Sequence, residues 1–322
     1  MRRVYSRHLW VLAVLFPVLW LLASGASHFV AVAKCNGAPF PAASYIAYCL
    51  DRDYGDYEHE AFFFGLNRTA EALAETKVLF LGNSKLQYAL SRANVAPFFA
   101  ERNARFFVMG FGHGEQSRFA ELVLQRHPAR PAVAVINVDP YFTDGITEPA
   151  AFPVQHSIAG WIDAVFKSVV QQPRAWLCRA GSGPVLERLL CRGEPAMLRS
   201  EVTGQWDVTA FRVEPEPPYA LPAVVPVADD ALDQWLAHAA VIAPAFLRTL
   251  GARCVVFTAV PSEAGSVYGR RLAAELRVPF IAPVVAGLTT IDHVHLDAKS
   301  GVAWSDALLR ELDPVGRACG AW

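Results

Sequence analysis

The stretch Lys77-Val-Leu-Phe-Leu-Gly-Asn-Ser-Lys-Leu-Gln-Tyr88 decides the fold. Val78 to Leu81 form a short apolar, partly β-branched run closed by Gly82, the pattern of a strand buried on both faces. After Gly82-Asn83-Ser84 the periodicity turns helical, with Leu86, Ala89 and Leu90 on one face. A serine on the turn between a buried strand and a helix stands at the carboxyl edge of a sheet, where open α/β folds place their sites. The helix also directs its first N–H groups at whatever Ser84 binds, which favours negative charge developing on an oxygen. The plainer reading is that Ser84 only caps that helix.

The alternation continues along the chain. A helix is expected near 85–102, then a strand from Arg105 to Val108, a glycine turn and a helix through about Gln125. The prolines of Arg126-His-Pro-Ala-Arg-Pro131 end that helix, and Ala132 to Val138 form a third strand. A helix from about Asp229 to Leu250 precedes a strand from Cys254 to Ala259. Leu272 to Leu276 reads as helix, Phe280-Ile281 as a short last strand, and Gly301 to Leu312 as a closing helix. Strands alternating with helices predict an α/β fold with a mostly parallel sheet covered on both faces. Residues 143–225 interrupt the rhythm with Trp161, Trp176, Trp206 and the stretch Glu214-Pro-Glu-Pro-Pro-Tyr219. Leaving the sheet at the carboxyl end of a strand, they read as a cap or lid over the site. Their tryptophans serve either as stacking platforms or as the insertion's own small core.

Far downstream stands Asp292-His293-Val294-His295-Leu296. An Asp and a His three apart on a turn can share one side, so that the carboxylate orients the imidazole towards a nucleophile. His293 is the rival base. Gly82-Asn83-Ser84 early in a domain with Asp292-x-x-His295 near its end resembles the SGNH (GDSL-type) esterase and acyltransferase superfamily. Between them, Met109-Gly-Phe-Gly-His-Gly-Glu-Gln-Ser117 resembles the family's second block, whose glycine lends an N–H to the oxyanion hole. The resemblance spans 76–142 and 228–313 and implies a three-layer fold. It assigns Ser84 as nucleophile, His295 as base, Asp292 as its orienter and Gly114 as the matching oxyanion glycine. In the third strand, Asn137 is the nearest amide for a further donor, Tyr141 is an alternative, and Asp139 has the wrong charge. His113 is expected to be a neighbour of the pocket.

An apolar content of 53% against 18% charged residues excludes a largely disordered chain, and a net charge of −1 argues against nucleic-acid binding. With no Walker loop and no Cys/His zinc spacing, no cofactor and no metal is expected. Arg2, Arg3 and Arg7 precede an uncharged, mostly apolar segment from Leu9 to Ala33, and about 20 such residues cross a bilayer. With only Lys34 just beyond it, the charge bias predicts the N-terminus inside and the main domain outside. Residues 1–33 thus read as a cytoplasmic tip and single-pass inner-membrane anchor, 34–76 as a connector, and 77–142 with 226–315 as the catalytic domain in the periplasm. A signal peptide cut near Ser24-Gly25-Ala26 is the competing reading, against which the apolar run continues well past that point. In an exported domain, Cys35 with Cys49 and Cys178 with Cys191 make plausible local bridges. Cys254 reads as a buried hydrophobe and Cys319 as a free thiol in the tail. In the connector, the aromatic run Phe62-Phe63-Phe64 is expected as a strand or as packing beneath the domain, and His59, between Glu58 and Glu60, as part of a solvated polar turn.

An anchored, exported domain of this kind resembles enzymes that add or remove O-acyl groups on envelope polymers, and the D-alanyl transfer protein that works beside a multi-span membrane acyltransferase. The expected function is O-acyl transfer to, or de-esterification of, a cell-envelope glycan. The alternative is a non-catalytic subunit of the same fold that binds glycan or a membrane-bound acyltransferase. It rests on Asn83, where the family usually has Asp, and on the lack of a Gly-x-Asn-Asp pattern in Ala134–Phe142. The enzyme reading requires Ser84 and His295 to meet at about 3 Å.

Overall fold

The computed structural model describes residues 15, 31–32, 34–36, 43–51, 54–179, 193–208, 215–225, 228–262 and 266–322. Strands β1 (Cys35–Asn36) and β2 (Ser44–Cys49) and helices α1 (Glu58–Phe64) and α2 (Thr69–Glu75) precede β3 (Val78–Asn83). Helices α3 (Ser84–Ala89) and α4 (Arg92–Glu101) lead to β4 (Phe106–Phe111), and α5 (Ser117–Arg126) leads to β5 (Val133–Asn137). The insertion supplies α6 (Glu148–Gln155), α7 (Ser157–Arg179), β6 (Glu194–Ser200), β7 (Trp206–Asp207) and β8 (Tyr219–Ala220). The chain then forms α8 (Asp229–Leu250), β9 (Cys254–Thr258), α9 (Val267–Leu276), β10 (Phe280–Ile281), β11 (Thr289–Thr290) and α10 (Ala298–Ala318).

The main sheet runs β4-β3-β5-β9-β10, with every pairing parallel. All six residues of β3 are buried, because the strand is central and covered on both faces. Alternate side chains serve opposite layers. Leu79, Leu81, Phe107, Met109 and Ile136 pack with α5, α8 and α9, whereas Val78, Phe80, Phe106, Val108 and Val135 pack with α3, α4 and α10. From β3 the next strand joins on one side, and β5, β9 and β10 on the other. This reversal makes the carboxyl end of β3 the topological switch point, where a crevice opens.

The predicted helix over 85–102 is two helices. Leu90 leaves the helical conformation at φ −86°, ψ 87°, and Ser91 caps α4 by accepting from the Ala93 N–H at 3.3 Å. The closing helix starts earlier and ends later than predicted, capped by Asp297, whose carboxylate accepts from the Ser300 N–H at 2.7 Å.

The connector and the insertion build one smaller sheet. β6 pairs parallel with β1 and antiparallel with β2 and β7. It covers the free edge of β4, where the Val108 N–H donates to the Thr203 carbonyl at 2.8 Å and Arg199 donates to the Val108 carbonyl at 2.8 Å. This covers part of an edge that would otherwise offer unpaired groups. The expected solvated turn at His59 is corrected here. The Phe62-Phe63-Phe64 run is not a strand but helix, packed against the main core, and Glu58, His59 and Glu60 are all buried on it. Each found a partner, which buried charge demands: Arg199 for Glu58, Asp56 for His59, Lys167 for Glu60. The predicted anchor, 9–33, lies almost entirely outside the described residues, and among those described no helix is long and apolar enough to cross a membrane.

Cys35 and Cys49 are bridged, as the local spacing suggests. Cys178 is disulfide-bonded, and its expected partner Cys191 lies outside the described residues. The readings of Cys254 as a lone hydrophobe and Cys319 as a free thiol are corrected, since the two form a disulfide that ties the start of β9 to the end of α10. Their separation of 65 residues hides the pair from any local pattern.

Closing a loop of that length restricts the unfolded chain by roughly 4 kcal/mol. Replacing both Cys254 and Cys319 by Ser is therefore expected to lower stability by up to about that amount in denaturant titration. A second test concerns Glu60, whose burial pushes its pKa from 4.5 to about 8 despite the charge of Lys167. The folded state then keeps a proton that the unfolded state has lost, so stability falls as pH rises from 4.5 to about 8. Glu60→Gln is expected to flatten this slope, raising Tm more at pH 8 than at pH 5 in thermal melts.

Candidate active site

Ser84 is the first residue of α3, and the cap is Asn83, whose side-chain oxygen accepts from the Lys85 N–H at 3.1 Å. Ser84 therefore does not cap the helix, and its hydroxyl is left for another partner. That partner is His295, whose Nε2 lies 2.9 Å from Ser84 Oγ across 211 residues of sequence. His295 Nδ1 lies 2.6 Å from Asp292 Oδ2. Asp292 Oδ1 accepts from the Val294 and His295 N–H groups at 3.0 and 2.7 Å, so one carboxylate shapes the turn and orients the ring. Partial burial raises the pKa of Asp292, but the hydrogen bonds from His295 outweigh this and hold it below the usual value. Ser84, His295 and Asp292 thus form a continuous hydrogen-bonded chain with the connectivity of a serine triad.

Tight packing brings these distant segments together. Helix α10 meets the end of α3 at Gly301, where a Cβ would stand 2.8 Å from the Tyr88 carbonyl oxygen. Tyr88 packs against His295 in a tilted pair with centroids 4.5 Å apart and meets Trp206 edge-on at 6.1 Å. Gln87 donates to the Gly110 and Gly204 carbonyls at 3.0 Å and accepts from the Trp206 N–H, joining α3 to β4 and to the β6–β7 hairpin. His293, the rival base, lies apart on a left-handed backbone (φ 67°) and packs against the Tyr219 ring in a tilted pair with centroids 4.1 Å apart.

A cavity of about 240 Å³ opens beside Ser84 and His295, lined by the apolar and aromatic Tyr48, Tyr88, Trp206 and Met197 and by Asp56, Glu58, Gly112 and His113. Trp206 both packs in the core of the smaller sheet and lines this cavity, its indole N–H donating to Glu58 at 2.8 Å. Trp161 and Trp176 do neither, being 51% and 63% exposed. Sequence reading missed Tyr48, Asp56 and Met197, which lie outside every quoted block, and read Glu58 only as a neighbour of a solvated turn.

The expected oxyanion donors are placed as follows. Gly114 is exposed, on a turn with φ 70°, and Gly112 rather than Gly114 lines the cavity. The Gly112 N–H donates to Glu58 at 3.0 Å. Asn137 is fully buried, and its side-chain oxygen accepts from the Val260 N–H at 2.9 Å, so it holds β5 against the exit of β9 and does not line the cavity. Asp139 is buried and held by Lys85 Nζ at 2.7 Å and the Ser262 hydroxyl at 3.1 Å. Tyr141 packs in the core against Phe246, and burial raises the pKa of its hydroxyl.

Asp56, Glu58 and His59 offer ligand atoms within 4.8 Å of one another, a spacing that a cation could bridge. Each is already committed. Glu58 accepts from Gly112, Arg199 and Trp206, and His59 Nδ1 contacts Asp56 at 2.8 Å. The donor set therefore fits an internal ion-pair network better than a metal centre. No protein-family model matches the chain, and neither the curated proteins nor the solved structures hold a match to it.

The close approach at Gly301 supplies a test. Gly301→Ala must push α10 from α3, which typically costs about 1–3 kcal/mol. Thermal melts are expected to show a lowered Tm, and the displaced helix to carry the Asp292–His295 turn away from Ser84.

Proposed function

We propose that this chain is an SGNH-type serine acyl-ester enzyme, an O-acyltransferase or esterase, exported and held at the inner membrane by its N-terminal segment. Its substrate would be a cell-envelope glycan. The observation that carries the reading is the chain Ser84 Oγ–His295 Nε2–Asp292, with contacts of 2.9 and 2.6 Å. A serine hydroxyl is a poor nucleophile near neutral pH unless a base takes its proton. In the proposed reaction Ser84 Oγ attacks the ester carbonyl while His295 Nε2 accepts the proton and then gives it to the leaving alcohol. Asp292 keeps Nδ1 protonated and the ring in place. The acyl-serine then passes its acyl group to water or to a sugar hydroxyl.

Supporting observations lie around the triad. Ser84 follows the central strand at the switch point of the sheet, where α/β folds bind ligands. Asn83 caps α3 through its side-chain oxygen, an atom that Asp also has, so the departure from the usual Asp leaves the turn intact. Aromatic walls with carboxylate and imidazole groups suit a sugar ring, whose faces are apolar and whose rim carries hydroxyls. The Cys35–Cys49 and Cys254–Cys319 disulfides agree with an oxidising compartment. A non-catalytic glycan-binding role is favoured by one observation: the Gly112 N–H donates to Glu58, away from the serine.

Fluorophosphonate labelling separates the two readings. The enzyme is expected to label at Ser84 and to cleave a chromogenic acetyl ester. Ser84→Ala should abolish both, and His295→Ala or Asp292→Asn should lower turnover by roughly a thousandfold to ten-thousandfold. Folded protein that does not label would leave the binding role.

A further inference from the structure

The cavity contains a second histidine that the serine chemistry leaves unused. His113 is the second residue of the turn Gly112-His113-Gly114-Glu115, closed by the Glu115 N–H donating to the Gly112 carbonyl at 3.0 Å. Its backbone is left-handed at φ 55°, as is that of Gly114 at φ 70°. A residue with a Cβ holds that conformation only where the surroundings impose it. Here His113 Nε2 lies 3.5 Å from Asp56 Oδ2, and Tyr48 packs edge-on against the ring at 5.8 Å.

Asp56 is itself fixed. Its other oxygen meets Nδ1 of His59 at 2.8 Å. His59 is fully buried, stacked on Phe111, with Nε2 3.7 Å from Glu115 Oε2. A line of alternating carboxylates and imidazoles, Glu115–His59–Asp56–His113, therefore runs from the core to the cavity wall. The Asp56 carboxylate beside it raises the pKa of His113 and outweighs partial burial, which favours the form with a proton on each nitrogen. With Nε2 turned to Asp56, Nδ1 is the ring nitrogen left to donate to a ligand.

We propose that His113, backed by Asp56, is the hydroxyl-recognition group of an acceptor subsite in this cavity, which takes a pyranose ring in preference to water. The assignment rests on the serine acyl-ester reading. A hydroxyl of the sugar attacks the acyl carbon of acyl-Ser84, forming the new ester C–O bond as the bond to Ser84 Oγ breaks. His295 Nε2 takes the proton of that hydroxyl and returns it to Ser84 Oγ. His113 makes and breaks no covalent bond. It donates from Nδ1 to a neighbouring hydroxyl of the same ring, with the rings of Tyr48, Tyr88 and Trp206 around the sugar. Water lacks both the neighbouring hydroxyl and the apolar face, so it gains nothing from these groups.

The test uses the full chain with a chromogenic acetyl ester as donor and methyl pyranosides, neutral and uronic, as acceptors. Products of transfer and hydrolysis are separated by mass spectrometry, and saccharide binding is followed by tryptophan fluorescence. In His113→Ala the ratio of transfer to hydrolysis is expected to fall at least tenfold, through a raised acceptor KM with little change in kcat. His113→Gln, which keeps an N–H donor, should recover part of the ratio. His113→Gly, suited to the left-handed backbone, shows whether Ala merely misfolds the turn. An unchanged ratio in His113→Ala would overturn the proposal, as would wild-type protein that labels at Ser84 yet transfers to no pyranoside. If Ser84 does not label at all, the serine reading fails separately. Saccharide binding then decides alone: binding weakened tenfold in His113→Ala keeps the subsite, and unaltered binding removes it.

Discussion

The parallel pairing of β3 with both β4 and β5 forces helices onto both faces of the sheet, because a central strand of six buried residues has no side to give to water. The layer made by α3, α4 and α10 meets this demand on one face, with Trp304, Leu308 and Leu312 of α10 in the same core as Phe80 and Val135. The C-terminal helix must therefore return to the first strand of the sheet. With Gly301 against the Tyr88 carbonyl, the turn before that helix lies beside Ser84. Hydrophobic coverage of the sheet is what brings an imidazole to a hydroxyl 211 residues away.

A second constraint is the exposed edge of β4. The smaller sheet and the hairpin at Trp206 cover part of it, and in doing so they carry Glu58, Asp56 and Trp206 to the carboxyl end of the main sheet. Burying this edge brings charge into the interior. Glu58 with Arg199, and His59 between Asp56 and Glu115, answer the desolvation of each group with a counter-charge. The cavity lining thus includes polar groups that hold the two sheets together. Structural and chemical roles coincide in the same side chains.

Much of this was legible in the chain. Val78–Leu81, Ala132–Val138 and Cys254–Ala259 read as buried strands because their apolar runs are short and bounded, and each lies in the parallel sheet. The helix from Asp229 to Leu250 was readable to its ends, with two aspartates in its first turn and Gly251 at its close. Other signals misled. Glu58-His59-Glu60 looked solvated because counter-charges such as Arg199 and Lys167 lie more than a hundred residues away. Glycines at 110, 112 and 114 stand too close together for the chain alone to reveal that Gly112 is the one that lines the cavity. Cys254 and Cys319 looked unrelated for the same reason of distance.

Residue order alone carries the alternation of strand and helix, the position of Ser84 just after a buried strand, and the Asp292–His295 spacing that lets one carboxylate hold the ring. These are local matters, set by periodicity, capping and the reach of a single side chain. Folding in three dimensions adds that the ring meets Ser84, that the Asn137 side-chain oxygen is held by the Val260 N–H, and that Asp56 and His113 line the same cavity. Such facts depend on which distant surfaces bury one another, and short-range pattern carries no record of that pairing.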